Sequence, residues 1–289
     1  MTDQSAHCGE ASAVQAPGRD AATENFPVAS WLLPKATRPH VLAFYRFARA
    51  ADDIADDPAL AAGEKVAALD RILAVFDGAA PRTLAERAAA DHVASLAATA
   101  LSDLYARQIL QAFRRDAENP RCRTWSDLML YCRYSAVPVG RFLIDLHGEA
   151  TEAHAPADAL CTALQVLNHL QDCGDDLVVM DRVYLPLDWI EADGASLEEL
   201  RGQCLSPGLR RTVNRCLDRA DQLIAQAGPL PGLLTRSRLR WEAAVVVRIA
   251  CRLARLLRCQ DPLARRVELT RRERLVCLAS GLMRGWRAA

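Results

Sequence analysis

The sequence is short of several things, and each shortage closes off a class of function. Only 6% of its 289 residues are aromatic, and no basic run is interleaved with aromatics as a nucleic-acid surface would be. Lysine plus arginine number 36 and aspartate plus glutamate number 36, so the formal net charge is +0 and nothing overall attracts polyanions. The ten cysteines run at irregular intervals from Cys8 to Cys277 with no CxxC pair, which excludes a clustered structural zinc site. No uncharged apolar run reaches the roughly 18 residues of a membrane span. Residues 1–24 lack the apolar region of a secretory signal, so the expectation is a cytoplasmic protein with reduced thiols, mostly buried in helices. There is no EF-hand loop, no 20–50-residue repeat, and no GxGxxG following a strand, so no nicotinamide cofactor is expected.

What the chain has in plenty is alanine and leucine, with 51% of residues hydrophobic and 25% charged, the balance of a globular helical protein. Residues 1–24 show no periodicity and read as a flexible tail, with order beginning near Asn25-Phe26-Pro27 and a domain covering 25–289. Apolar periodicity and breakers predict helices over 39–57, 63–77, 84–99, 101–117, 125–147, 157–179, 205–227, 233–258 and 270–286. Asn119-Pro120 breaks the fourth of these, and Pro138 should kink the fifth. Residues 182–188 look extended, and convincing strands are absent. The fold class is therefore all-α, a single-domain bundle with antiparallel neighbours.

The charged residues do not spread evenly over these helices. Tyr45, Arg49, Asp52 and Asp56 follow one another at spacings of 4, 3 and 4, within a helical stripe about 60° wide. Two carboxylates four residues apart repel each other unless a cation lies between them. Gln165, Asn168, Asp172 and Asp176 form a second stripe, about 80° wide and wholly oxygen-bearing. Carboxylate and amide oxygens suit Mg²⁺, which is usually held by a few carboxylates together with phosphate oxygens. Two facing stripes could hold more than one Mg²⁺ around a diphosphate and neutralise it as a leaving group. A single such stripe is more often a solvated helix face, and the pairing is what favours metal. Arg49 could grip a diphosphate or form an intrahelical ion pair. Tyr45 could offer a ring face to a carbocation or sit in the core. Arg141, beside Gly140, is a further polar candidate or a surface arginine. His169 points off the acidic stripe and is given a packing role. Arg248, Arg252 and Arg255 ride one apolar helix, which either lies on an anionic membrane surface or packs in the bundle with a solvated arginine face.

DDIADD at 52–57 and QVLNHLQDCGDD at 165–176, followed by RVYLP, resemble the squalene/phytoene synthase family from about Asn25 to Pro186, and more loosely to the C-terminus. Each motif alone is weak; together they are specific. ENFPVAS at 24–30, YRFARAADDIADD at 45–57 and YCRYSAVPVGRFL at 131–143 are most similar to the branch that forms hydroxysqualene in bacterial hopanoid pathways. Position 137 is Val where that branch leads one to expect Asn. The resemblance implies an isoprenoid synthase bundle around a central cavity, acting on a prenyl diphosphate with Mg²⁺. It implies Asp52, Asp56, Asn168, Asp172 and Asp176 as metal ligands, with Arg49, Gln165 and Arg182 on the diphosphate or its metal shell. Tyr45, Tyr131, Ser135 and Tyr184 would line the cavity. The implied reaction is loss of diphosphate from presqualene diphosphate, rearrangement, and capture of the cation by water. A peripheral membrane contact and handover to other enzymes of the squalene pathway would accompany it. Head-to-head condensation to presqualene diphosphate, squalene or phytoene remains open on these residues, as does a non-catalytic helical lipid-binding or scaffold protein.

Overall fold

The computed structural model describes residues 34–118 and 121–287. The expected tail over 1–24, the onset of order at Asn25–Pro27 and the Asn119-Pro120 break lie outside the described residues. Within them the chain is helical, with no strand. Four helices come first: α1 (Arg38–Asp56), α2 (Ala62–Phe76), α3 (Leu84–Thr99) and α4 (Leu104–Ala117). There follow α5 (Trp125–Ser135), α6 (Val137–Leu146), α7 (His154–Met180) and the short α8 (Leu187–Ala192). The last four are α9 (Pro207–Ala227), the one-turn α10 (Leu230–Leu233), α11 (Ser237–Cys259) and α12 (Arg271–Arg287).

Local chemistry explains the boundaries. Thr83 and Glu86 close a capping box at the start of α3, as Thr124 and Asp127 do for α5. Pro39 and Pro207 stand in the first turns of α1 and α9, where a missing N–H costs nothing. Asp181 ends α7 in the left-handed region, at φ 52°. The kink expected inside 125–147 is instead a break. Ala136 stands alone between α5 and α6, stretched to φ −109° but still in the right-handed region, with its N–H on Cys132 O at 3.0 Å. The helical bonding lapses here because Pro138 has no N–H to give and crowds the preceding turn. The helix expected from 101 starts at Leu104, and α8 occupies the end of the stretch expected to be extended. The remainder of that stretch is tied to residue 122 by two backbone bonds, Cys122 N to Val183 O at 3.0 Å and Leu187 N to Cys122 O at 3.1 Å.

Two apolar cores result. One lies among α1–α4 and takes Phe142 from α6, around Phe44, Phe47, Ile72 and Leu110. The other surrounds α7, with Leu167, Leu170, Val213, Leu217, Leu253 and Leu257 at its centre. Each such buried side chain contributes about 1.5–3 kcal/mol. α6 touches both cores, and Gly140 lets it approach α7, since a Cβ there would lie 2.7 Å from Cys161 Sγ. α11 runs parallel to α7. Glu149, ahead of α7, accepts from the backbone N–H groups of Thr235 and Arg236, ahead of α11, at 2.7 Å each. Arg266, beyond the end of α11, pairs with Asp172 in the second half of α7. Among the described residues no helix is long and apolar enough to cross a membrane.

Candidate active site

A cavity of about 390 Å³ opens between the two cores. α1 lines it with Val41, Phe44, Tyr45 and Ala48; α7 lines it with Ala157, Leu160, Cys161, Leu164 and Gln165. On both helices the acids follow further along: Asp52 and Asp56 lie one and two turns beyond Ala48, and Asp172 and Asp176 two and three turns beyond Gln165. The spacing that made two stripes therefore sets both over one end of a single apolar cavity.

Arg182 ties the two stripes together, and two other arginines pair with acids of one stripe each. Arg182, just past the end of α7, is 5% exposed. Its Nη1 meets Asp56 Oδ1 at 2.5 Å, and its Nη2 donates to the carbonyl of Ala55 at 2.8 Å. Its backbone N–H donates to the carbonyl of Asp176 at 2.9 Å. Arg266 Nη1 lies 2.6 Å from Asp172 Oδ1, and Gln171 Nε2 donates to the carbonyl of Val267, which fixes that segment against α7. Arg49 reaches Asp52 at 3.4 Å and Asp53 at 2.8 Å, so its intrahelical ion pair exists. Asp57 turns away and accepts from the backbone of Ala59.

Beneath the acids lies a buried polar cluster that sequence reasoning missed. Asp116 of α4 is 6% exposed and accepts from the hydroxyls of Tyr131 and Tyr184, each at 2.8 Å. These tyrosines, expected along the cavity wall, are not among its lining residues. Their hydroxyls are held inward by Asp116, and burial keeps both phenols protonated as donors. The Tyr184 ring stacks on His169 at 3.8 Å. His169 was given a packing role, and it packs; it also touches the acid site. Its Nε2 is 3.1 Å from Gln165 Nε2, and its Nδ1 is 3.7 Å from Asp176 Oδ2. With Gln165 donating to Nε2, the ring proton on Nδ1 faces the carboxylate.

The remaining predicted residues fall as follows. Tyr45, Ser135 and Gln165 line the cavity. Asn168 is half-buried on the α7 stripe. Arg141 is drawn away from the site, its guanidinium held bidentately by Asp158 of α7 at 2.6–3.2 Å. Val137 is buried and is not among the cavity-lining residues. The arginine face of α11 is not simply solvated: Arg248 reaches Ser280 and Arg252 reaches Glu273 on α12.

Burial dominates the electrostatics of the acid site. Burial, then the charge of Asp56, pushes the Asp52 carboxyl up to about 7, with Arg49 opposing. Burial pushes Asp116 up to about 6, with Arg182 and the two tyrosine hydroxyls opposing. Burial works against the charge of Arg182, but Tyr184, Asp116 and Asp56 around it hold the guanidinium protonated. Among the described residues no three acidic, histidine or cysteine side chains converge to enclose an ion by themselves. An all-oxygen donor set of this kind fits Mg²⁺ sharing its shell with phosphate oxygens better than a closed protein cage.

Asp116 and Arg266 carried no readable signal. The first lies in an ordinary charged run after Phe113, and the second is one of several arginines in ARRVELTRRER.

Comparison with known proteins identifies the family and the fold. The family model for squalene/phytoene synthase matches residues 20–273. A hydroxysqualene synthase of Sinorhizobium fredii is 41% identical over 254 residues, covering 88% of this chain and 86% of that protein. One from Rhodopseudomonas palustris is 41% identical over 252 residues, covering 87% and 85%. Among solved structures, squalene synthase HpnC from Alicyclobacillus acidocaldarius superposes with a TM-score of 0.70 at 34% identity, covering 81% of this chain and 87% of that one. A dehydrosqualene synthase in complex with ligand superposes with a TM-score of 0.76 at 23% identity, covering 90% and 91%, a likeness of fold.

Proposed function

The chain belongs to the squalene/phytoene synthase family, and from that membership we propose that it converts presqualene diphosphate to hydroxysqualene with release of diphosphate. The observation that carries the proposal is the pair of acid stripes cross-tied by Arg182 over the mouth of one apolar cavity. The diphosphate would sit at the acid end and the two prenyl tails would fill the cavity. Asp52 and Asp56 on one side, and Asn168, Asp172 and Asp176 on the other, would hold Mg²⁺. The metal would neutralise the departing diphosphate.

The chain's own residues do the rest. Arg49 and Arg266 each pair with one acid at the mouth and can turn to phosphate oxygens as the ligand arrives. Arg182 holds Asp56 in place, and the Asp116 cluster holds Arg182. Gln165 marks the boundary, with His169 on one side and the cavity on the other. Below it the wall is mostly aliphatic and aromatic, with Ser135 and Glu242 the polar exceptions, which keeps bulk water from the cation. Tyr45 stands at that boundary, where a ring face can stabilise positive charge. No reducing cofactor enters this reading.

A peripheral membrane contact belongs to the same proposal, on a different surface from the one the sequence suggested. Leu275, Val276, Met283 and Trp286 of α12 are 59–74% exposed, with Arg271 and Arg272 exposed beside them. A greasy product leaves more easily from such a surface.

The test is product identification by mass spectrometry after separate incubations with presqualene diphosphate and farnesyl diphosphate, each with Mg²⁺. Hydroxysqualene from presqualene diphosphate is expected. Turnover of farnesyl diphosphate alone to a condensed product would replace the proposal with a condensing synthase.

A further inference from the structure

Resting on the hydroxysqualene reading, we propose that the carboxylate of Glu242 holds the water that captures the cation and takes that water's proton. Capture needs a polar group inside a cavity that otherwise excludes water. The residue the resemblance would have suggested, position 137, is a buried Val that is not among the lining residues. Two lining residues do bring a buried polar atom with no hydrogen-bond partner among the described residues: Glu242 Oε2 and Ser135 Oγ. A water held at either atom would supply the partner it lacks.

Glu242 stands among apolar neighbours. Leu239, Ala243 and Val246 share its face of α11, and Leu230 and Leu234 close in from α10 and the turn after it. A lone acid on an apolar helical face is costly to bury and is not explained by packing. Its place along the cavity follows from the parallel course of α7 and α11. Cavity-lining residues span 157–165 on α7 and 239–246 on α11, and Glu242 lies near the middle of its span. It therefore sits roughly one to two turns below Gln165, about 5–10 Å along the axis from the boundary with the acid site. That places it on the tail side of the diphosphate, where the rearranged cation lies once the C–O bond has broken.

The step balances. A lone pair of the water oxygen forms the new C–O bond to the cationic carbon. One O–H bond breaks, its electron pair stays on oxygen, and its proton passes to Glu242. The acid returns that proton to solvent after the alcohol leaves. Burial pushes the Glu242 carboxyl up to about 7, so the proton-accepting form gains population across neutral pH. The other ionisable side chains lining the cavity are Tyr45 of α1 and Cys161 of α7, the thiol pushed up to about 12 by burial. α6 and α10 contribute none.

The experiment compares the full-length protein with Glu242→Gln and Glu242→Asp, each incubated with presqualene diphosphate and Mg²⁺ from pH 6 to 8. Diphosphate release and product composition are measured in the same samples, and folding is checked by circular dichroism. In Glu242→Gln the hydroxysqualene share should fall at least about tenfold, with hydrocarbon formed by proton loss taking its place, while diphosphate release persists. The parent's hydroxysqualene share should rise with pH and the Gln variant's should not. Glu242→Asp should recover part of the alcohol. An unchanged share and pH profile in Glu242→Gln overturns the assignment, as does a loss of diphosphate release in step with the alcohol. If Glu242→Gln does not fold, a folded Glu242→Asp with the parent's share and pH profile overturns it, and a reduced share with a shifted profile supports it. A parent that forms no hydroxysqualene overturns the functional reading itself, and this assignment with it.

Discussion

Replacing Arg182 with Met keeps much of the side chain's length and removes its charge, and the consequences can be worked out before the measurement. Three partners are affected. The carbonyl of Ala55 loses a donor at 2.8 Å but keeps Lys65 Nζ at 2.9 Å, so its share is about 0.5–1.5 kcal/mol. Asp56, whose side chain is 39% exposed, loses a 2.5 Å ion pair but regains water, so its share is small. Asp116 is the decisive partner. It is buried and already pushed up to about 6, with Arg182 the strongest influence holding it down. Without that charge its carboxyl must rise further. A raised folded-state carboxyl binds its proton at a pH where the unfolded chain does not, so stability is gained as pH falls through the folded value. The penalty of Arg182→Met should therefore be largest above neutrality, about 3 kcal/mol or more. It should shrink toward pH 5.5 by at most about 1.4 kcal/mol per pH unit, the limit for one proton. Urea denaturation at pH 5.5, 6.5, 7.5 and 8.5, taken as the variant minus the parent, cancels pH effects common to both. A penalty that is flat across this range, or that grows toward acid, refutes the placement of Arg182 as the counter-charge of Asp116.

Two further predictions concern the frame around the site. His92 stacks on Phe47 at 5.3 Å within the α1–α4 core, and burial pushes it down to about 4. A lowered histidine means that the unfolded chain takes up the proton first, so the parent should lose about 3 kcal/mol as pH falls from 6.5 to 4, and His92→Phe should flatten that limb in acid denaturation. An acid limb as steep in His92→Phe as in the parent would show that His92 is not its source. A Cβ on Gly281 would lie 2.5 Å from Val245 Cα and 2.8 Å from Val245 N, both backbone atoms that cannot yield. Gly281→Ala should therefore part α12 from α11, cost about 1–3 kcal/mol, and open α12 to limited proteolysis.

How much of this was legible beforehand depended on whether the signal was local. The helix over 84–99 could be read to the residue because its signal is local, an alanine-rich run, and the structure adds a capping box at Thr83 and a left-handed stop at Ala100 that the run itself did not announce. The two acid stripes were legible for the same reason, since helical spacing fixes which side chains share a face. Direction was harder to read than identity. Tyr131 and Tyr184 were expected to line the cavity, but the acid that turns their hydroxyls inward sits on α4, 15 and 68 residues away in the chain. Arg266 could not be told from its arginine neighbours, because what distinguishes it is a pairing with Asp172 far back in the chain. Pro138 was read as a kink within one helix, whereas α5 stops at Ser135 and α6 starts at Val137, because the local signal of a proline marks distortion and not its extent. Glu242 left a trace, an acid on an apolar face, that becomes meaningful once α1, α6 and α7 are seen to enclose the same space.

The central claim is that both acid stripes serve one diphosphate, and diphosphate release from presqualene diphosphate tests it most directly. The measurement compares the parent with Asp52→Asn and Asp172→Asn, one from each stripe, with Mg²⁺ and after chelation. The account predicts that chelation abolishes release and that each variant, still folded, loses about a hundredfold or more, equivalent to about 2.7 kcal/mol of transition-state stabilisation. Release that continues at the parent's rate in either variant, or that is indifferent to chelation, would contradict it.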